Sequence, residues 1–339
     1  MAFDRQMGQG VPVGAFACAL ICGMGEAWRV EMFEVDVIVP VYKPTEKLLA
    51  LLDGLMQQTL TVQRIILINT EKQYFDKFIQ GRDFQNRYKK VSVYHIKKEE
   101  FDHGGTRNYG ASLSKAPYFV MMTDDAVPKD AQMVEHLMSH FENPRLGMAY
   151  ARQLPDSACS VLERYARSFN YPQTSRIKSA ENLKDMGIKA FFASNVCAAY
   201  RRDIFEELGG FTDHTIFNED MIYARGLIDA GYLIAYEANA RVEHSHNYSG
   251  LEQFHRYFDL GVSHAQYPQI FSGVATESEG ARMVKTACPY LLRTGKPWLI
   301  IKLFWQSGCK YIGYFMGKRY KRLPINLVKA FSMHKEYWK

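Results

Sequence analysis

The sequence of 339 residues lacks several features that would place it in a special class of protein. Its six cysteines include no Cys-x-x-Cys pair, which excludes a cysteine-based zinc site and gives no sign of a disulfide framework, so a reducing compartment is expected. The longest apolar run near the N-terminus, residues 11–22, is shorter than the roughly 20 residues of a membrane span and lacks a basic segment before it. Glycine and proline are unremarkable and 47% of the residues are hydrophobic, which excludes collagen and disorder.

Acidic residues are almost absent from the C-terminal segment. Residues 282–339 contain 13 Lys or Arg and one acid, Glu336, so residues 1–281 carry a net charge of −6 although the whole chain carries +6. Such a basic segment indicates contact with a polyanion, either nucleic acid or an anionic membrane surface. No nucleic-acid-binding motif is present and the front part is acidic, so the membrane is the preferred partner.

Apolar runs alternate with helical patterns from about residue 35 onward. Four runs have the composition of buried strands: residues 35–41, 64–69, 91–96 and 118–122. This alternation predicts an α/β protein with a mostly parallel central sheet flanked by helices, and with its ligand at the carboxyl ends of the strands. Further on, residues 191–200 are predicted as a strand and residues 219–230 as a helix that ends at Gly231.

Two aspartates stand between the fourth apolar run and a predicted helix. Asp124 and Asp125 are separated from the run by Thr123 alone, and Pro128 comes shortly after. Magnesium prefers carboxylate oxygens and binds one or two of them together with substrate phosphates, so this placement suits a metal that bridges a diphosphate. The same acids are also common at the N-cap of a helix, which is the structural alternative.

Three more polar segments are candidates for chemistry. Glu219 and Asp220 open a predicted helix, where a carboxylate serves either as a general base or as first-turn capping. His244 and His246 lie on one face of an extended segment, which suits a metal but also a polar loop. The run from Gly104 to Asn108, GGTRN, combines backbone N–H groups with an arginine at a predicted helix start and favours a phosphate, although a plain turn has the same sequence.

Taken in order, these segments resemble the family 2 glycosyltransferases that use nucleotide sugars. The resemblance covers about residues 35–271 and rests on the segments PVY, GGTRN, TDDAVP, LGGF, NED and EHSHNYS. The variants HGGTRN and HSHNYS, with the C-terminal SMHKEYW, are most similar to bacterial rhamnosyltransferases that build cell-surface polysaccharides. The resemblance implies a GT-A fold, a nucleotide-sugar donor, a divalent cation (Mg²⁺ or Mn²⁺) and an inverting single displacement.

The resemblance also implies roles for individual residues. Asp220 matches the catalytic base, with Glu219 beside it. The implied metal ligands are Asp125, His246 and His244, whereas Thr123 stands where the family has its first aspartate. The implied donor-binding residues are Pro40, Val41, Tyr42, Asn69, Arg107 and Asp124. Because the amide of Asn69 would pair with an edge that uracil and thymine share, both UDP- and dTDP-sugars stay open as donors.

Three regions are expected along the chain. They are an N-terminal extension over residues 1–33, either disordered or the product of a misassigned start; a GT-A catalytic domain over 34–272, with a nucleotide-sugar half (34–128) and an acceptor half (129–272); and a basic, aromatic helical tail over 273–339. Lysines interrupt the apolar run at residues 297–315, so we predict an amphipathic interfacial helix rather than a span. A helix that packs on the catalytic core is the alternative.

The predicted function is the transfer of a sugar, rhamnose from dTDP-rhamnose, onto a lipid-linked or growing surface polysaccharide. The expected location is cytoplasmic and peripheral, at the anionic inner face of the cell membrane. One alternative is a galactosyl or glucosyl transferase that uses a UDP-hexose. The other is a metal-dependent hydrolase that uses Asp125, Asp220 and His246 and releases free sugar.

Overall fold

The computed structural model describes residues 33–272 and 276–338, so the expected N-terminal extension and its apolar run at residues 11–22 lie outside the described residues. The strands are Val35–Tyr42 (β1), Arg64–Thr70 (β2), Val91–Ile96 (β3), Tyr118–Met122 (β4), Val127–Pro128 (β5), Leu146–Leu154 (β6), Arg176–Lys178 (β7), Cys197–Arg201 (β8) and Leu233–Glu243 (β9).

Helices separate most of these strands and form the C-terminal region. They are Glu46–Met56 (α1), Lys72–Ile79 (α2), Phe84–Arg87 (α3), His103–Leu113 (α4), Met133–Met138 (α5), Val161–Asn170 (α6), Leu183–Met186 (α7), Arg202–Glu207 (α8), Glu219–Asp229 (α9), Gly250–Gln266 (α10), Pro268–Phe271 (α11), Thr276–Arg293 (α12), Leu299–Gly317 (α13) and Ile325–Phe331 (α14).

The nine strands of the described residues belong to one sheet, in the order β3-β2-β1-β4-β8-β6-β9-β5, with β7 paired to β9 outside that path. The first four strands in this order are parallel, and their register sets Val41 opposite Asn69 and Asn69 opposite His95. This part confirms the predicted parallel sheet. The second half is mixed, because β8 runs antiparallel between β4 and β6.

The predicted strand over residues 191–200 was wrong in its first half, since β8 begins only at Cys197. The buried ammonium group of Lys178 donates to the carbonyl oxygen of Lys189 at 3.2 Å and also to that of Phe192. These bonds satisfy the buried amino group and tie residues 189 and 192 to β7. The predicted helix over 219–230 is confirmed as α9, and Gly231 follows it with a φ of +87°.

Two of the sequence motifs hold each other in place. A Cβ atom on Gly104 would lie 2.0 Å from the carbonyl oxygen of Thr212, so only glycine fits at the start of α4. Nearby, the Asn108 amide donates to the carbonyl oxygen of Phe211 at 2.7 Å and accepts from its N–H at 2.9 Å. The GGTRN and LGGF segments therefore fix α4 against the loop that leads to α9.

The C-terminal helix α13 packs along α10. Cβ atoms on Gly313 and Gly317 would lie 2.3 Å and 2.0 Å from the carbonyl oxygens of Phe254 and Phe258, so glycine lets the two backbones approach closely. The opposite face of α13 and its flanks expose large apolar side chains: Trp298, Ile301, Phe304, Trp305, Tyr311, Ile312 and Phe315. The helix therefore packs on the catalytic region, as the alternative predicted, and the interfacial role of its exposed apolar face stays a prediction.

Within the described ranges, no helix combines the length and the apolar character that crossing a membrane requires. The proposed division of the chain into nucleotide-sugar half, acceptor half and tail stays a prediction.

Candidate active site

Two of the predicted donor-binding residues meet at the carboxyl edge of the parallel strands. β1 ends at Tyr42, and the backbone N–H of Tyr42 donates to the carboxyl group of Asp124, in the loop after β4. Burial, together with the charge of Asp125 beside it, raises the pKa of Asp124 to about 7. Near neutral pH this carboxyl group therefore exists in both protonation states.

The end of β1 also offers an aromatic surface. The ring of Tyr42 is 40% exposed and meets the ring of Tyr74 edge to face, with centroids 5.7 Å apart. The ammonium group of Lys43 lies 5.2 Å and 5.1 Å from the two ring centroids. Val41 is buried and Pro40 is half-buried, so Tyr42 is the member of this trio whose side chain faces solvent.

Asn69 lies one strand away but is closed to solvent. Its side chain is fully buried, and its amide nitrogen lies 3.0 Å from Nδ1 of His95. Its amide oxygen has no hydrogen-bond partner in the part of the chain that the structure describes. The predicted contact of Asn69 with a base thus requires a change at this edge of the sheet, and it stays a prediction.

Asp125, His244 and His246 converge to form a group of potential metal ligands. Nε2 of each histidine lies 3.4 Å from a carboxylate oxygen of Asp125, and the two Nε2 atoms are 3.1 Å apart. One donor atom from each residue fits within 4.8 Å of the others. Burial lowers the pKa of both imidazoles, that of His244 to about 3, so both are neutral and keep lone pairs for a cation.

A second layer of polar side chains orients His244. Its Nδ1 donates to Oε1 of Gln153 at 3.2 Å, and this oxygen also accepts from Arg167 on α6. The contact with the Gln153 oxygen favours the tautomer with the proton on Nδ1, in which the lone pair of Nε2 points toward Asp125. The sequence analysis missed Gln153, since a single polar residue inside a strand carries no signal of this role.

Glu219 and Asp220 form a second acidic centre at the start of α9. The carboxylate of Asp220 accepts from the backbone N–H of Asn195 at 3.0 Å, while the side-chain amide of Asn195 donates to Glu219 at 3.1 Å. Burial and the charge of Glu219 raise the pKa of Asp220 to about 7. Asp220 keeps partial solvent exposure, so its carboxyl group has both the pKa and the access of a general base near neutral pH.

Arg107 pairs with the neighbouring acid rather than standing free for an anion. Its Nη1 lies 3.2 Å from Oε1 of Glu219, and both side chains are buried. Burial alone would raise the pKa of Glu219, but Arg107 and His103 hold it below its usual range. The N-terminus of α4 is likewise occupied, because Asp102 accepts from the N–H of Gly105 at 2.6 Å. The predicted role of Arg107 in donor binding stays a prediction.

The sequence model of the family described as "Glycosyl transferase family 2" matches residues 36–209. This is about half of the chain, and it contains β1 to β4 together with Asp124 and Asp125. The chain belongs to glycosyl transferase family 2. The predicted family is therefore confirmed, and the chain is a glycosyltransferase.

Two curated relatives of this family 2 enzyme are similar over most of their length. The O-antigen chain rhamnosyltransferase RfbN of Salmonella typhimurium is 38% identical over 310 residues, which is 90% of this chain and 96% of RfbN. The O-antigen chain rhamnosyltransferase WbaN of Salmonella anatum is 43% identical over 247 residues, 72% of this chain and 78% of WbaN. The predicted similarity to bacterial surface-polysaccharide rhamnosyltransferases is thus confirmed.

Solved structures of glycosyltransferases share the fold. The mannosyltransferase PcManGT from Pyrobaculum calidifontis, in complex with GDP-Man and Mn²⁺, has a TM-score of 0.57 at 13% identity and covers 91% of this chain and 95% of its own. TarS of S. aureus with UDP-GlcNAc has a TM-score of 0.52 at 12% identity, covering 90% and 85%. At such identities the comparison shows the fold alone, and it confirms the predicted GT-A fold of this family 2 glycosyltransferase.

Arg256, on α10, lies near the candidate site and was not singled out by the sequence analysis of this glycosyltransferase. Its guanidinium group lies 4.6 Å from the ring of Phe217 and 5.9 Å from that of Tyr248. After burial, which is the larger cause, its charge contributes to the lowered pKa of His103 and of His246. The guanidinium group therefore lies within electrostatic range of the group of potential metal ligands and of the acidic centre at the start of α9. In the sequence, a single arginine in a helix rich in aromatic residues gives no sign of this position.

Proposed function

We propose that this glycosyltransferase transfers rhamnose from dTDP-rhamnose to a lipid-linked or growing surface polysaccharide, with inversion at the anomeric carbon. The observation that carries the proposal is the carboxyl group of Asp220, which has a pKa of about 7 and partial exposure. The choice of rhamnose is supported by the two similar proteins, both named as O-antigen chain rhamnosyltransferases.

Asp220 is proposed as the base of a single displacement. Its carboxylate takes the proton of an acceptor hydroxyl group while that oxygen bonds to the anomeric carbon of the donor sugar. The bond between this carbon and the diphosphate oxygen breaks, and the electron pair leaves with the nucleoside diphosphate. Glu219 supports the base by keeping its pKa raised, and Asn195 holds the two carboxyl groups at fixed positions.

The three potential metal ligands, Asp125, His244 and His246, fit a divalent cation. Two neutral imidazoles and one carboxylate within 4.8 Å suit Mn²⁺ better than Mg²⁺, which prefers oxygen ligands. When bound, the cation would neutralise negative charge that develops on the leaving diphosphate. Asp125, His244 and His246 would hold it, and Gln153 would orient His244.

Arg256 is proposed to bind the diphosphate from the protein side. After burial, which is the larger cause, its charge contributes to the lowered pKa of both histidines of the metal group and of His103. No acid forms an ion pair with it among the described residues, and its contacts are with aromatic rings. A guanidinium group that has no carboxylate partner is available to a phosphate, for which its donor geometry is suited.

The remaining donor contacts are proposed at the edge of the parallel strands. The exposed ring of Tyr42 would stack on the base, and Asp124 would accept from a hydroxyl group of the ribose or sugar. Arg107 would act on the donor through its pair with Glu219. Asn69, with its unpaired amide oxygen, would contact the base once its bond to His95 opens.

The surface that carries the exposed apolar side chains of α13 is proposed to lie on the anionic inner face of the cell membrane. Trp305 is 67% exposed and Ile301 is 79% exposed, and the basic run of residues 318–322 follows the helix directly. Aromatic side chains beside lysines and arginines are typical of interfacial helices. This placement would bring a lipid-linked acceptor to the enzyme from the cytoplasmic side.

A thermal-shift experiment with nucleotides tests the donor first. The full chain is heated with dTDP, UDP, GDP or ADP, each with and without Mn²⁺; a ligand at 100 times its Kd adds about 2.7 kcal/mol to the free energy of unfolding. A shift that is largest for dTDP with Mn²⁺ supports the proposal, and a transfer assay with dTDP-rhamnose then follows. A larger shift with UDP would favour a hexosyl donor, and free sugar released without acceptor would favour a hydrolase.

A further inference from the structure

The C-terminal residues 331–338 return to the start of α4, next to the second acidic centre. The rings of His334 and His103 meet edge to face, with centroids 4.8 Å apart and planes at 87°. Further along, Tyr337 donates to the carbonyl oxygen of His214 at 3.2 Å. The family match ends at residue 209, so it assigns no role to this segment, which we call the C-terminal strap.

Buried polar contacts hold the strap in this position. The carboxylate of Asp259, which is fully buried on α10, accepts from the backbone N–H groups of Met333 at 2.9 Å and His334 at 3.2 Å. The carbonyl oxygen of Phe331 lies 2.8 Å from Nδ1 of His255. These bonds fix the backbone up to residue 334, and the Tyr337 hydroxyl group anchors the strap beyond it. The ring of His334 therefore has little freedom to move away from His103.

His103 connects the strap to the acidic centre. Its carbonyl oxygen accepts from Nη1 of Arg107 at 2.9 Å, and the same nitrogen lies 3.2 Å from Glu219. Glu219 in turn shares Asn195 with Asp220. A shift of His103 therefore moves the arginine that is paired with Glu219, and with it the charge that acts on Asp220.

We infer that His334 is a positioning residue for the transfer reaction, which acts through His103 on the Arg107–Glu219 pair. The inference rests on the proposed role of Asp220 as the base. Burial keeps the pKa of His334 below its usual range, so the ring acts as a neutral packing surface. An aromatic ring of similar shape without nitrogen should therefore hold His103 in the same position.

The test compares three variants of the full chain in a transfer assay. His334→Ala should lower kcat about tenfold while the donor KM stays within about twofold, because a small misplacement near the reacting groups affects catalysis more than binding. His334→Phe should restore most of kcat, since it keeps the ring. Glu336→Gln, which breaks the exposed ion pair of the strap with Lys98, should match the parent because such pairs add little stability.

Three results would overturn the inference: a parental kcat in His334→Ala, a loss that His334→Phe does not restore, or an equal loss in Glu336→Gln. Unfolding midpoints and the shift with nucleotide show whether each variant keeps its fold and its donor site. Asp220→Asn in the same assay separates the two proposals. If Asp220→Asn is inactive and His334→Ala is normal, only the inference about the strap fails; if Asp220→Asn is active, the proposed base fails.

Discussion

Nη1 of Arg107 lies 3.2 Å from Oε1 of Glu219, and each side chain is less than 10% exposed. The pair joins the GGTRN segment at the start of α4 to the acidic segment at the start of α9, which are more than 100 residues apart in the sequence. It keeps Glu219 ionised although the site is buried, and the resulting charge raises the pKa of Asp220.

Replacing Arg107 should therefore destabilise the protein. Arg107→Gln leaves the carboxylate of Glu219 buried without its partner, which costs about 3–5 kcal/mol. Denaturant unfolding measures the loss. The double variant Arg107→Gln with Glu219→Gln serves as the control and should be less destabilised than the sum of the single changes. A cost below about 1 kcal/mol for Arg107→Gln would mean that the pair is not needed for folding.

The proposed base predicts a specific pH dependence. The pKa of Asp220 is raised to about 7 by burial and by Glu219, while Arg107 acts in the opposite direction. A base must be deprotonated to act, so kcat/KM should increase with pH through about 7 and level off above it. An unshifted aspartate, with a pKa of about 3.9, would give a flat profile over this range.

Asp220→Asn is the matched variant, because it keeps the shape of the side chain and an acceptor oxygen for one of the two backbone N–H groups, those of Asn195 and Met221, but has no base. We expect kcat to decrease about 10²- to 10⁴-fold, with nucleotide binding unchanged. Glu219→Gln should instead move the rise of the profile to lower pH, since it removes the negative charge beside Asp220. An Asp220→Asn enzyme that keeps its activity would exclude this residue as the base.

Removal of metal should abolish most of the transfer activity. EDTA treatment followed by Mn²⁺ should restore the rate, and calorimetry should show Mn²⁺ binding that is lost in Asp125→Asn and His246→Ala. Gln153→Ala should weaken the affinity about 10- to 100-fold, because it frees the ring of His244. His136→Ala, a histidine outside this group, is the control. Full activity in EDTA would contradict the proposed metal site.

Arg256→Gln should weaken donor use. If the guanidinium group binds the diphosphate, the loss of a charged hydrogen bond costs about 1.5–3 kcal/mol, which corresponds to roughly a 10- to 150-fold decrease in kcat/KM for the donor. Arg82→Gln, which removes an arginine paired with Glu46 at the surface, is the control. Steady-state kinetics measure both. If Arg256→Gln keeps the parental kcat/KM for the donor, the diphosphate does not bind at Arg256.

The proposed membrane surface predicts binding to anionic vesicles. Combined replacement of Lys318, Lys321 and Arg322 by glutamine should weaken the free energy of membrane binding by about 1 kcal/mol per residue, and Trp305→Ala should weaken it further by removing apolar contact. Sedimentation with phosphatidylglycerol vesicles measures the effect, and neutral phosphatidylcholine vesicles are the control. The proposed surface would be contradicted if the parent bound both vesicle types equally and the variants bound them as well as the parent.

The sequence by itself determined the parallel half of the sheet and the local position of each motif. The alternation of β-branched runs with helical periods is a local property, so it predicted β1 to β4 and α9 nearly residue by residue. It also placed Asp125 after a strand and Asp220 at a helix start. The choice of the two histidines of the HSHNYS segment as candidate metal ligands came from their spacing and from the resemblance to the family.

Only the tertiary structure decided which buried polar groups are partners. Arg107 pairs with Glu219, Gln153 orients His244, and His334 packs on His103, although each partner comes from a distant part of the chain. The buried Lys178 side chain likewise bonds to the carbonyl oxygen of Phe192, in the part of the predicted strand that forms no strand. A buried charge or polar group must find a partner wherever the fold brings one, and no local pattern encodes which one that is.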